Sequence, residues 1–140
     1  MQDIHFFQED IDLKLREKQK LRAWIRSALS DHKKTVNNIN YIFTSDKYLL
    51  ELNQSYLNHD TFTDIITFDQ STKTTKVEAD IYISIDRISE NAKKLNISFS
   101  DELHRVMMHG VLHLLGYSDK SSAKKKEMRK KENHYLALRF

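Results

Sequence analysis

DELHRVMMHGVLHLLGYSD, residues 101–119, is the stretch on which the fold and the chemistry turn. Its apolar residues recur at helical spacing from Asp101 to Leu115, so it reads as a helix that must be buried. His109 and His113 are one turn apart on that helix, and residues at i and i+4 stack on one face. Zinc takes neutral imidazole nitrogens at about 2.0 to 2.1 Å, a reach that two such rings meet together. A third ligand must come from elsewhere. Gly116 can end the helix in the left-handed conformation that glycine adopts cheaply, and the turn would bring Asp119 back toward the rings. Three protein ligands leave a fourth position open for water. Histidines at this spacing also occur as core or cap residues with ordinary hydrogen bonds. Gly110 favours the site reading, because an interior helical glycine costs about 1 kcal/mol relative to alanine and needs a packing or site reason. It also stands where H-E-x-x-H peptidases carry their general base, so peptide hydrolysis by that route lacks its glutamate.

Outward from this helix, the pattern predicts a small sheet with helices packed on it. Ile4 to Phe7 reads as a first strand, and Leu21, Trp24, Ile25, Ala28 and Leu29 recur as the face of a helix. Asn38 to Thr44 reads as a second strand, Ser45 as the N-cap of a helix through Tyr48, Leu49, Leu52 and Tyr56, and Asp64 to Phe68 as a third strand. In the segment Val77 to Ile85, Ile81, Ile83 and Ile85 alternate with Asp80, Tyr82 and Ser84, the mark of a half-buried strand. A helix from about Arg87 to Leu95 precedes the motif helix, and a last one from about Ser122 holds Met128, Glu132, Tyr135 and Leu136 on one side. The expected class is α+β, with four strands in a mixed sheet and the motif helix as a zincin-like metal-binding helix.

The chain of 140 residues, with 39% hydrophobic and 31% charged residues, is expected to form one domain over residues 1–140. With no cysteine, thiolate sites are excluded and a metal must be held by imidazole and carboxylate, which favours catalytic over structural zinc. The opening MQDIHFFQEDIDL has acidic residues early and only a short apolar run, so no signal peptide or span is read there and a cytoplasmic location is expected. Charge is uneven. Residues 120–140 hold eight Lys or Arg against two Glu, a local +6, which leaves the first 119 residues at −3 within a total of +3. A basic segment on a slightly acidic body suits a polyanion such as nucleic acid, and a merely solvated helix face fits the same charges.

HGVLHLLGYSD resembles the signature of the YbeY endoribonucleases, rRNA maturation factors in which H-G-x-L-H-L-x-G-Y precedes a third metal ligand. Leu52-Asn53 with Tyr56, then Asp60 and Thr63 to Phe68, resemble that family's second signature. Asp80 to Ser84 with Asn91-Ala92 resemble its third, and Met128 with Glu132 its pair in the last helix. Two departures stand out. The family's third ligand is a histidine ten residues after the first, where this chain has Asp119. Met128 falls in register without a gap. A one-residue shift would instead put Lys120 there, which is not a usual zinc ligand. A carboxylate is harder than imidazole, so the exchange leans toward harder divalent ions such as Mn²⁺. Secondly, many members carry an arginine where this chain has Leu57. His59, Arg105 or Lys120 could supply that charge, and the simplest reading of Leu57 is a core contact.

The resemblance implies a single-strand-directed, metal-dependent endoribonuclease with one Zn²⁺, or another divalent ion, held by His109, His113 and Asp119. Catalysis by His109 and His113 would then run through the metal-bound water. RNA phosphates would meet His59, Arg105, Lys120 and Lys124, and Tyr56, Tyr117 or Phe62 could stack on an unpaired base. Asp80, Ser84 and the 59–64 loop are expected beside the metal, with Thr63 and Asp64 better read as a turn or cap. The family further implies the precursor of small-subunit rRNA as substrate, action in ribosome quality control, and small-subunit ribosomal proteins or an assembly GTPase as partners. The alternative is a ribosome- or RNA-binding assembly factor in which the metal is structural and cleavage weak or absent.

Overall fold

The computed structural model describes residues 3–57 and 63–140. Four strands, β1 (Ile4–Gln8), β2 (Thr35–Thr44), β3 (Ile65–Asp69) and β4 (Lys76–Ser84), form one sheet in the order β1-β2-β4-β3. β1, β2 and β4 run parallel and β3 runs antiparallel along β4, so the sheet is mixed, as expected. The helices are α1 (Lys18–Asp31), α2 (Asp46–Leu57), α3 (Ile85–Leu95), α4 (Phe99–Leu114) and α5 (Ser122–Leu138). Two parallel neighbours need a crossover, and α1 supplies it between β1 and β2.

One sheet face carries Ile39, Tyr41 and Phe43 of β2 with Ala79, Ile81 and Ile83 of β4, all buried. α4 lies on this face and is buried along most of its length through Leu103, Val106, Met107, Met108, Val111 and Leu112. Each such side chain contributes about 1.5 to 3 kcal/mol on burial, which is what holds the motif helix in place. The Tyr41 hydroxyl donates to the Met107 carbonyl at 2.9 Å, so the one polar atom on that ring is satisfied in the core. Trp24 of α1 donates through Nε1 to the Tyr135 carbonyl of α5 at 2.8 Å, closing the layer. The opposite face packs aromatic side chains under α2, with Tyr48 stacked on Tyr82 and Phe68 edge-on to Tyr82.

At Gly110, α4 lies close against the sheet. A Cβ there would lie 3.0 Å from Ile65 Cδ1 and 3.2 Å from Ile81 Cγ2, so the glycine has the packing reason its helix-interior position called for. Ser98 caps α4 by accepting from the Asp101 amide at 3.0 Å, and Asp101 and Glu102 in the first turn face the positive end of the helix dipole.

Several ends shift by one or two residues, and two boundaries differ for a local physical reason. β4 stops at Ser84, whose Oγ accepts from the Arg87 amide and caps α3, so Ile85 opens a helix rather than closing a strand. β2 begins at Thr35, three residues earlier than the apolar pattern begins, and carries a bulge between Val36 and Asn38. No helix among the described residues is long and apolar enough to cross a membrane.

Candidate metal centre

α4 presents His109 and His113 at one mouth of the core, and each ring is tied by Nδ1. His109 Nδ1 donates to Glu132 Oε2 of α5 at 2.7 Å, and His113 Nδ1 donates to the Tyr117 carbonyl at 2.9 Å. Both partners only accept, so in each neutral ring the proton sits on Nδ1 and the lone pair on Nε2. That is the tautomer a metal ligand needs, fixed by its second hydrogen bond.

The turn after α4 is built by Gly116, at φ 103°. Its amide donates to the His113 carbonyl and the Tyr117 amide to the Leu112 carbonyl, both at 3.1 Å, which is a Schellman ending. The chain reverses and sets Asp119 Oδ2 3.9 Å from His109 Nε2. Two donor atoms on one tetrahedral zinc lie about 3.4 Å apart. Among the described residues no group of three or more His, Asp or Glu side chains is arranged closely enough to hold a metal as the side chains stand. Asp119 is half-exposed at the mouth of the cleft. His109, His113 and Asp119 line one cleft of about 530 Å³ with Asn53, Leu57 and residues 63–67. The donor set, two imidazoles and one carboxylate with no thiolate, fits a divalent cation of borderline or hard character.

Behind His109 lies a chain of charges. The Arg105 guanidinium donates to both carboxylate oxygens of Glu102 and, at 2.9 Å, to Glu132 Oε1. Glu102 and Glu132 are almost fully buried, and Arg105 shows only 13% of its side chain. Burial opposes the Glu132 charge, but the hydrogen bonds from His109 and Arg105 outweigh it and hold the carboxyl below its ordinary range. Arg105, one of the expected RNA contacts, is paired here with two buried carboxylates. Its charge is committed inside the fold, where it positions Glu132 and through it His109.

Other expected residues divide. Lys120 and Lys124 are exposed beside the turn and on α5, while His59, Asp60 and Phe62 lie outside the described residues. Asp80 accepts from Asn40 at 3.0 Å on the sheet, and Ser84 serves as the α3 cap, so neither lines the cleft. Leu57 is no core contact: it is 42% exposed and forms part of the cleft wall. The Tyr117 hydroxyl bonds His32 Nε2 at 2.9 Å, which places this aromatic as a brace for the turn.

Asp64 is expected beside the metal as part of the 59–64 loop, and reads there from the sequence as a turn or cap. It lies in the cleft, and burial pushes its carboxyl above the ordinary range, against the opposing charges of His109 and Arg105. The T-D pair looked like a turn because a short carboxylate before a strand usually is one. Its proximity to His109 depends on β3 lying beside α4, which no local pattern contains.

Comparison with known proteins identifies the family. The family model described as endoribonuclease YbeY matches residues 3–138. The endoribonuclease YbeY of Cytophaga hutchinsonii is 48% identical over 136 residues, 97% of this chain and 95% of that protein. That of Flavobacterium psychrophilum is 49% identical over 132 residues, 94% of each. A Thermotoga maritima protein solved in solution superposes with a TM-score of 0.63 at 27% identity, covering 95% of this chain and 86% of that one. Since the family match runs from β1 to the end of α5 and takes in the cleft, the turn and the buried glutamate together, the chain belongs to the endoribonuclease YbeY family.

Proposed function

We propose that this protein is a metal-dependent endoribonuclease that cuts single-stranded RNA during maturation of the small-subunit ribosomal RNA. The observation that carries the reading is the pair of imidazoles whose Nδ1 atoms are tied to Glu132 and to the Tyr117 carbonyl, in a cleft shared with Asp119. His109, His113 and Asp119 would hold one divalent ion, Zn²⁺ or a harder ion in view of the carboxylate. When bound, such an ion supplies Lewis acidity toward a phosphate oxygen and lowers the pKa of water from 15.7 to about 7.

The chain's own groups do the rest. Glu132 holds the His109 proton on Nδ1, and the Tyr117 carbonyl does the same for His113. Asp64, whose carboxyl burial pushes above its ordinary range, is the cleft group suited to accept a proton from the attacking hydroxyl. Exposed Lys120 and Lys124 are offered to phosphate, with ribosomal small-subunit proteins or an assembly GTPase as partners in the cytoplasm. A cleft open on one side admits an unpaired strand, whose bases splay where a duplex keeps them stacked.

The experiment is cleavage of an unstructured oligoribonucleotide against its duplex, for wild type and His109→Ala. The expected result is that wild type cuts the single strand and spares the duplex, while His109→Ala stays folded by circular dichroism, still binds RNA and no longer cuts. A wild type that never cuts, with a His109→Ala variant that unfolds and loses ribosome binding, would contradict the enzyme reading in favour of a structural metal.

A further inference from the structure

His109 and Asp119 are shared by two depressions. One is the cleft against β3, and the other is a groove of about 240 Å³ between α4 and α5 that also takes in Arg105, Lys125, Arg129 and Glu132. The charges in the groove are unequal in availability. Glu132 is 3% exposed and already accepts from Arg105 and His109. Arg129 reaches the same Glu132 oxygen only at 3.3 Å and keeps 54% of its side chain exposed, which leaves most of its five N–H donors to solvent. Lys125 is exposed, one turn before Arg129, so the two cations stack on one flank of α5.

The other basic residues of α5 do not line this groove. With about 100° between successive residues and Met128 buried toward α4, Lys126 and Lys130 fall on the far face. Lys124 and Lys131 fall on the opposite flank, where the Lys131 ammonium lies 5.8 Å from the Tyr117 ring centroid. Six basic residues on one helix would be an undirected polyanion patch. Only Lys125 and Arg129 open onto the candidate ligands.

We propose that the groove between α4 and α5 is a backbone phosphate subsite, in which Lys125 and Arg129 hold a phosphodiester of the strand as it leaves the β3 cleft across His109 and Asp119. The inference rests on the nuclease reading for its ligand, single-stranded nucleic acid. Guanidinium and ammonium groups beside one another at the rim of a cleft recognise phosphate by charge-assisted hydrogen bonds, which fix the register of the strand and carry no base preference. The strand would then be held on both sides of the reacting phosphate, with its bases in the cleft and its backbone on α5.

The test compares Lys125→Gln/Arg129→Gln with Lys126→Gln/Lys130→Gln, two double variants of identical charge change. Binding is measured to a single-stranded oligodeoxynucleotide, which presents the same phosphates without a 2′-hydroxyl, across a series of salt concentrations. Each lost phosphate contact on a single strand lowers the slope of log K against log salt by about 0.7. The groove pair is expected to flatten the slope by about 1.4 and weaken binding on the order of tenfold at 0.1 M salt, with no base preference in the loss. The far-face pair is expected to leave the slope as in wild type. Equal flattening by both pairs, or none by the groove pair, would overturn the subsite. Because the readout is binding, it is independent of whether the protein cleaves, and a noncleaving wild type that shows the predicted difference would sink the nuclease reading alone.

Discussion

A buried carboxylate that accepts from an imidazole raises the basicity of that ring and fixes its orientation, and Glu132 stands in this relation to His109, a proposed ligand, at 2.7 Å. Glu132→Gln keeps the volume of the side chain but weakens the acceptor. Metal affinity is expected to fall by about 10- to 100-fold, read by competition with a chromophoric chelator, while the fold is retained. Glu132→Ala is a different experiment: it leaves Arg105 short of a partner in the interior, and a stability loss of about 3 to 5 kcal/mol by denaturant titration is expected. Asp64 carries the opposite sign. A carboxyl whose pKa is raised by folding contributes stability that is fully present below its unfolded pKa and is lost as pH rises from there through the folded value. Asp64→Asn is therefore expected to raise the melting temperature at pH 7 while lowering the rate of RNA cleavage. A variant that is both less stable and fully active would count against a proton-accepting Asp64.

At the scale of elements, α4 is held against β3 and β4 by the absence of a side chain at Gly110. Gly110→Val would drive methyl groups into Ile65 and Ile81, and overpacking of this kind costs about 1 to 3 kcal/mol. The melting temperature should drop and metal binding should weaken with it, because the same helix carries both imidazoles. The turn after α4 has its own brace in the hydrogen bond from Tyr117 to His32, whose Nδ1 is bonded to the Ala28 carbonyl at 2.8 Å. The reading of elements from the sequence succeeded where periodicity is strong. Ile81 and Ile83 do alternate into the core, and the face of α1 is buried at the five positions its spacing marks. It fell short where capping competes with the pattern, as at Ser84, and where polar residues extend a strand, as at Thr35 to Asn37. The imidazole pair and the Gly116 turn were legible because both are local. The commitment of Arg105 to Glu102 and Glu132 was not. Arg105 sits one turn before His109 and looked available, whereas Glu132 is 27 residues away and reaches it only through the packing of α5 on α4.

For the whole molecule, the clearest dependence on acidity comes from His104, at the far side of α4 from the cleft. Its ring is buried beside Trp24 and Phe140, and Arg139 donates to its Nδ1 at 2.8 Å while pairing with Asp101. Burial first, and then the Arg139 charge, push its pKa down to about 4, against the pull of Asp101 and Glu17. The folded value lies below the unfolded one of about 6.5. His104 thus adds its full contribution above that unfolded value, and the contribution is lost as pH falls from there toward 4. Over that window the loss amounts to roughly 2 to 4 kcal/mol. Replacing the ring with Gln should flatten the fall in melting temperature between pH 6.5 and 4 relative to wild type, and an unchanged profile would remove His104 from the account.

That His109, His113 and Asp119 act together on one divalent ion is the proposal on which the nuclease reading rests. It is tested most directly by elemental mass spectrometry of protein purified without chelator, run beside single-stranded RNA cleavage, for wild type, His113→Ala and Asp119→Ala. Near-stoichiometric metal is expected in wild type, with the loss of both metal and cleavage in each variant. Wild type without metal, or an Asp119→Ala protein that keeps its metal and still cuts, would contradict that proposal.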